Sequence, residues 1–249
     1  MKVLFSGRVN LAHQKQDHII KSIESLYTKM GVDFIFVDEE VKCGEAAMNL
    51  GLSEDAEKVV KSFKEQVDRV KPDVIVSPYA AGVAKYRKEV PEKYGIKLGV
   101  PYIHITQFLA ENLKKFPEKL DKFPHRYFIH HGCTMGRKIG EYHFIREALG
   151  LVPEIDLCEE DHPSAKIEGR DIAEFNTCPG SWLNMSQPEL SEFIKENYIL
   201  EVIKPANPEF VGSSCANGHY GISQGLEIAE IDDITPLYFT ELLDNVWRN

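Results

Sequence analysis

Two kinds of apolar pattern alternate along the chain: short β-branched or aromatic runs bounded by turn residues, and longer stretches whose apolar positions recur every three or four residues. Residues 2–5, Lys2-Val3-Leu4-Phe5, predict a core strand closed by a turn at Gly7 and Arg8. Residues 18–30 predict a helix with Ile19, Ile20, Ile23, Leu26 and Tyr27 on its apolar face, ended by Gly31. A second strand is predicted over 32–37. Ser53 can cap a helix over 53–70, with Glu54 and Asp55 in its first turn and Val59, Val60, Phe63, Val67 and Val70 turned inward. Pro72 breaks it. A third strand follows at 73–76, a charged helix at 85–94, a fourth strand at 100–106 and another helix from Gln107. Strand and helix in alternation predict a parallel sheet with helices on both faces, whose functional loops lie beyond the strand ends.

The second half predicts strands at 126–130, 152–157 and 209–212, with helices over 137–149 and 188–196. Its landmarks match those of the first half. Arg8, Cys43 and Ser77 stand 35 and 34 positions apart, and Cys133, Cys178 and Cys215 stand 45 and 37 apart, each at the end of a strand pattern. An internal duplication accounts for this. The expected fold class is α/β, with two similar Rossmann-like repeats, mostly parallel sheets and a pseudo-twofold between them. The Lys-, Pro- and Phe-rich tract 114–124 reads as a linker or exposed hairpin, which places the repeats at 1–121 and 122–249.

Composition narrows the partners. With 29 basic and 39 acidic residues the net charge is -10, which disfavours long duplex nucleic acid. The first residues do not read as a signal peptide and nothing approaches a membrane span, so the expectation is a soluble, cytoplasmic protein. Five cysteines argue against a disulfide framework, and their spacing is too wide for a zinc ribbon or finger. No Gly-x-Gly-x-x-Gly fingerprint follows a strand, so a nicotinamide or flavin is expected on a partner and not on this chain.

Three cysteines concentrate the candidate chemistry: His130-His131-Gly132-Cys133, Asn176-Thr177-Cys178-Pro179-Gly180 and Ser213-Ser214-Cys215-Ala216-Asn217-Gly218-His219. Ionised thiols arriving from strand ends can converge on a metal or form a reactive sulfur site; isolated, they serve as small buried hydrophobes. His131 and His219 are candidate acid-base groups or ligands, with His130 alternating toward the core. Arg8 and Arg137 can clamp a carboxylate or phosphate with a planar fork, or make surface contacts. Cys43 and Cys158 are candidate additions to the site, and Lys42 a charge partner of Glu39 or Glu40.

These contexts resemble the cysteine-rich CCG domain family, twice repeated, which includes the B component of heterodisulfide reductase and the iron-sulfur proteins of lactate and glycolate oxidation. In the second repeat Cys133 matches the leading cysteine, Thr177-Cys178 the Cys-Cys pair and Cys215 to Gly218 the Cys-x-x-Cys. In the first, Arg8, Lys42-Cys43-Gly44, and Ser77 with Ala80 occupy the same places. The resemblance implies a redox protein, an oxidoreductase or one component of such an enzyme, working with redox partner proteins or a multisubunit complex on a small thiol, disulfide or anionic substrate. A complete family motif of five cysteines is similar to one that holds a noncubane iron-sulfur cluster; with three thiols retained, the expectation is instead that Cys133, Cys178 and Cys215 hold three corners of one [4Fe-4S] cluster for electron transfer or thiol and disulfide chemistry, with His131 or His219 as ligand or acid-base group at the open iron. Alternatives are a cluster-free scaffold protein of a redox complex, a thiol or persulfide carrier, and a zinc site of three Cys and a His.

Overall fold

Four short runs in the first half, β1 (Lys2–Phe5), β2 (Asp33–Phe36), β3 (Val74–Ser77) and β4 (Tyr102–His104), pair in the order β2-β1-β3-β4, all parallel. The computed structural model describes the chain except residues 38–43, 45–46, 49, 161–168, 170, 172–178, 180–182, 185 and 249. The central strands are the most apolar: β3 is buried throughout and β1 buries Val3, Leu4 and Phe5, as a sheet covered on both faces requires. The edge strand β2 alternates between exposed and half-buried positions.

Helices α1 (Arg8–His13), α2 (Asp17–Lys29) and α3 (Ser53–Val70) connect these strands. Helix α2 buries the expected face, and α3 buries Ala56, Val60, Phe63, Gln66 and Val67, while Val59 and Val70 are only half-buried. Ser53 is the first helical residue of α3 and accepts a hydrogen bond from Lys93 Nζ at 2.9 Å, so it does not cap the helix.

The charged helix expected at 85–94 begins earlier. It runs as α4 (Ala80–Ala84), a π turn (Lys85–Glu89) and α5 (Val90–Tyr94). Pro91 explains the wide turn: it has no N–H to give the carbonyl four residues back, and its ring would crowd that carbonyl in an α register. Helix α6 (Ile105–Leu113) follows β4. Edge-to-face contacts among Phe5, Tyr27, Phe34, Phe36 and Phe108 fill the core against the sheet.

The second half repeats the plan. Strands β5 (Arg126–His130), β6 (Asp156–Glu159), β7 (Phe210–Ser213) and β8 (Thr235–Pro236) pair in parallel in the order β6-β5-β7-β8, the same order shifted by four. The fold is thus an internal repeat of two parallel four-stranded sheets flanked by helices. The second set of helices is α7 (His143–Leu149), α8 (Pro188–Tyr198), α9 (Ala216–Ile228) and α10 (Phe239–Asn245).

Two expectations shift here. The helix expected at 137–149 divides into a π turn (Met135–Ile139) and α7, because Gly140 takes a left-handed φ of 72° that ends the first piece. The strand expected at 152–157 starts at Asp156, after a turn in which Glu154 has φ 62°. Phe128, Val211, Ile222 and Leu226 form a core with Tyr198, Ile199, Ile203 and Ile234, and Cys158 packs against it.

The chain divides into two compact units, Met1–Phe108 and Leu109–Asn249. The tract expected to be a linker is tied to the end of the chain: Leu120 bridges Trp247, Asp121 N donates to Val246 O at 2.7 Å, and Arg248 pairs with Asp121. No described helix is long and apolar enough to cross a membrane.

Candidate functional site

The paired strands β5 and β7 deliver two of the three candidate cysteines to one edge of the second sheet. His130 and Ser213, the last residues of these strands, are register partners, and Ser214 N donates to His130 O at 3.0 Å. Just beyond them, Gly132 N donates a hydrogen bond to Ser214 Oγ at 2.8 Å. A Cβ at Gly132 would stand 2.7 Å from Cys215 Cβ. Only glycine permits this approach, and it brings the residue before Cys133 onto Cys215. Neither thiol is in a disulfide, and both are half-buried. Cys215 precedes the first turn of α9, and its N–H donates to Ser213 Oγ at 3.1 Å.

The three histidines have separate surroundings. His130 is fully buried, with Nδ1 2.6 Å from the Tyr198 hydroxyl; burial, and then the neighbouring His131, lower its pKa to about 3. It is a neutral core histidine, in keeping with the alternation expected for it. His131 is also fully buried, and its Nε2 lies 3.1 Å from Glu159 Oε2. His219 sits in the first turn of α9, its ring 5.2 Å from that of Tyr238 and a ring nitrogen within 4.8 Å of a Glu241 carboxylate oxygen. Glu241 also accepts a hydrogen bond from Tyr238 N.

Glu159 closes β6 beside these strand ends and begins a network that the sequence alone does not reveal. Arg146, on α7, holds Glu159 through Nε and a terminal nitrogen at 2.7 and 2.6 Å, and Asp171 through both terminal nitrogens at 2.7 and 2.8 Å. Burial pushes the Glu159 pKa up, but His131 and Arg146 outweigh it and leave the carboxyl at about 2. Arg146, opposed by burial, is held charged by Asp171 and Glu159. The bidentate fork on each carboxylate is the geometry to which guanidinium is suited. The sequence signal for this network is slight: one arginine on the polar side of a short helix and one glutamate at a strand end.

The remaining candidates have their own surroundings. Arg8 begins α1 with its guanidinium 4.6 Å above the Phe36 ring, and Arg137 is exposed in the π turn Met135–Ile139. Cys158 faces the core, and burial raises its thiol pKa. Cys178, Cys43, Lys42, Glu39 and Glu40 lie outside the described residues.

The expected [4Fe-4S] cluster on Cys133, Cys178 and Cys215 is overturned. Among the described residues, the metal-capable side chains that gather within 4.8 Å of one another are histidine and glutamate, with no cysteine among them. A cubane needs at least three soft donors around one cavity. Here Gly132 backbone packs onto Cys215, and His131, an expected fourth ligand, faces Glu159. The expectation of an iron-sulfur oxidoreductase carrying electrons through that cluster falls with it, and among the described residues three cysteines and a histidine do not gather for zinc either.

Comparison with known proteins gives three likenesses. The family model described as a cysteine-rich domain, CCG, matches residues 9–81. The D component of dihydromethanophenazine:CoB--CoM heterodisulfide reductase from Methanosarcina barkeri is 23% identical over 211 residues, covering 82% of this chain and 49% of that protein. Lactate utilization protein A of Halalkalibacterium halodurans is 24% identical over 203 residues, 76% of each chain. The chain thus spans about half the length of the heterodisulfide reductase proteins it matches. Among solved structures, glutamate racemase of Bacillus anthracis aligns with TM-score 0.41 and 12% identity over 98% of this chain and 78% of that one. The family match falls on the half that retains Cys43 alone.

Proposed function

We propose, from the premise that the chain carries a cysteine-rich CCG domain weakly homologous to the D component of heterodisulfide reductase and to lactate utilization protein A, that it is a cluster-free thiol carrier whose second unit uses Cys133 and Cys215. The observation that supports this is the Gly132 contact, which brings the two cysteine-bearing strand ends together at one sheet edge with both thiols outside any disulfide. In this reading one thiolate takes the outer sulfur of a small persulfide, releasing the small thiol and leaving a protein persulfide. The neighbouring thiol or a second small thiol then accepts that sulfur. The work takes place in the cytoplasm, with small thiols and redox proteins as partners.

The test is intact-mass analysis of the reduced protein after anaerobic exposure to glutathione persulfide. The expected result is a gain of one sulfur atom, quenched in Cys133→Ser or Cys215→Ser. An equal gain in the double variant, or none in the parent protein, overturns the reading. A scaffold role is favoured for the first unit by what occupies its described family cysteine positions: Arg8 covers Phe36, Ser77 Oγ accepts a bond from Tyr79 N at 3.1 Å, and Ala80 is buried.

A further inference from the structure

The first unit contains a cavity of about 400 Å³ against its edge strand β4, remote in sequence from both thiols. Its walls are Tyr86 and Arg87 from the π turn, Lys97, Leu98 and Val100 from the segment that leads into β4, and Tyr102 on the strand. Lining of this kind, apolar with a few placed polar groups, and a volume of this size suit a small organic ligand.

Three features specify its chemistry. Both charged residues in the lining are cationic and no carboxylate is among them, in a chain whose net charge is -10. Arg87 is fixed in place: Nε donates to Tyr102 O at 3.1 Å, and the wide turn before Pro91 sets it opposite the strand. Lys97 is exposed and has no carboxylate partner among the described residues. Behind the cavity the rings of Phe63, Tyr86 and Tyr102 pack with centroids 5.1 to 6.1 Å apart, giving a preformed aromatic wall.

We propose that this cavity binds a small organic monoanion, a carboxylate on an aromatic or branched apolar body, with the anion toward Arg87 and Lys97 and the body against Tyr86, Leu98 and Tyr102. The bond from Arg87 to Tyr102 O also has a purely structural use, covering the open edge of the sheet. Lys97 has no such use, so it separates the two roles. The proposal stands independently of the thiol site.

The experiment is a titration of the full chain with phenylacetate and with its neutral analogue phenylacetamide, followed by NMR shifts of backbone amides. Saturable shifts confined to residues 86–103 are expected with phenylacetate, with at least about tenfold weaker binding of the amide, reflecting the lost charge-assisted contact. Lys97→Glu should weaken phenylacetate at least about fivefold without altering the rest of the spectrum. Arg87→Gln should do the same where its fold is retained. No saturable shift in the parent protein, equal binding of the amide, or unchanged binding in Lys97→Glu would each overturn the proposal.

Discussion

The strand ends of the two sheets are built from different chemistry on one strand order. In the first unit, Arg8 lies over Phe36, Ser77 bonds to Tyr79 N, and His104 is buried with Nδ1 2.9 Å from Thr106 Oγ1. These contacts are local and largely self-contained. In the second unit the corresponding edge carries two thiols outside any disulfide and a linked set of polar groups, His131 beside Glu159, and Glu159 and Asp171 both held by Arg146. The difference teaches that a duplicated scaffold can keep its core in both copies while, among the described residues, the two sets of strand ends carry different groups. Packing is specified by strand interiors, whereas the ends are free to diverge.

The sharpest way to break this comparison is to remove the arginine from each edge. Arg146→Ala leaves two carboxylates without their shared cation, so urea denaturation should show a loss of about 3 kcal/mol, reduced from the fully buried case because the pair is partly exposed. A loss near zero would mean that the network is ornamental.

Acid should separate the units next. Burial lowers His104 to about 4 and His130 to about 3, both from 6.5, while Glu159 is held at about 2 against an ordinary 4.5. All three are depressed in the folded state, so the stability each contributes is present above its unfolded pKa and lost as pH falls through the folded value. Both units should weaken below about pH 6.5, and the second alone should lose up to about 3 kcal/mol more between pH 4.5 and 2. Unfolding followed by near-ultraviolet circular dichroism, in the parent and in Glu159→Gln, reads this directly. The variant should lack the lower limb, and an unchanged acid profile would contradict the assignment.

The smallest effect belongs to Arg8→Ala. An exposed cation over an aromatic ring contributes about 0.5–1 kcal/mol, so a shift in the urea midpoint near the limit of measurement is expected. A loss as large as that of Arg146→Ala would erase the proposed contrast between the two edges.

Most of the fold was legible because it rests on periodicity. The faces of α2 and α3, the buried run of β3 and the matched landmarks of the halves follow from where apolar residues recur. The boundaries that moved did so through backbone conformation, at Gly140 and Glu154, which hydrophobic pattern does not encode. The site was legible only as far as chain position decides it. Cys133 and Cys215 follow paired strands, and pairing was inferable; whether thiols share a cavity depends on side-chain direction and on neighbours such as Gly132, which no spacing reveals. Arg146 and Glu159 are 13 residues apart in sequence and meet only through the β5 to β6 crossover.

The π turns bear on how the two halves can be aligned at all. Lys85–Glu89, Met135–Ile139 and Ile199–Ile203 each accommodate a residue more than an α turn would. Such turns act as length buffers: a single inserted or deleted residue can be absorbed there without rotating the elements beyond it.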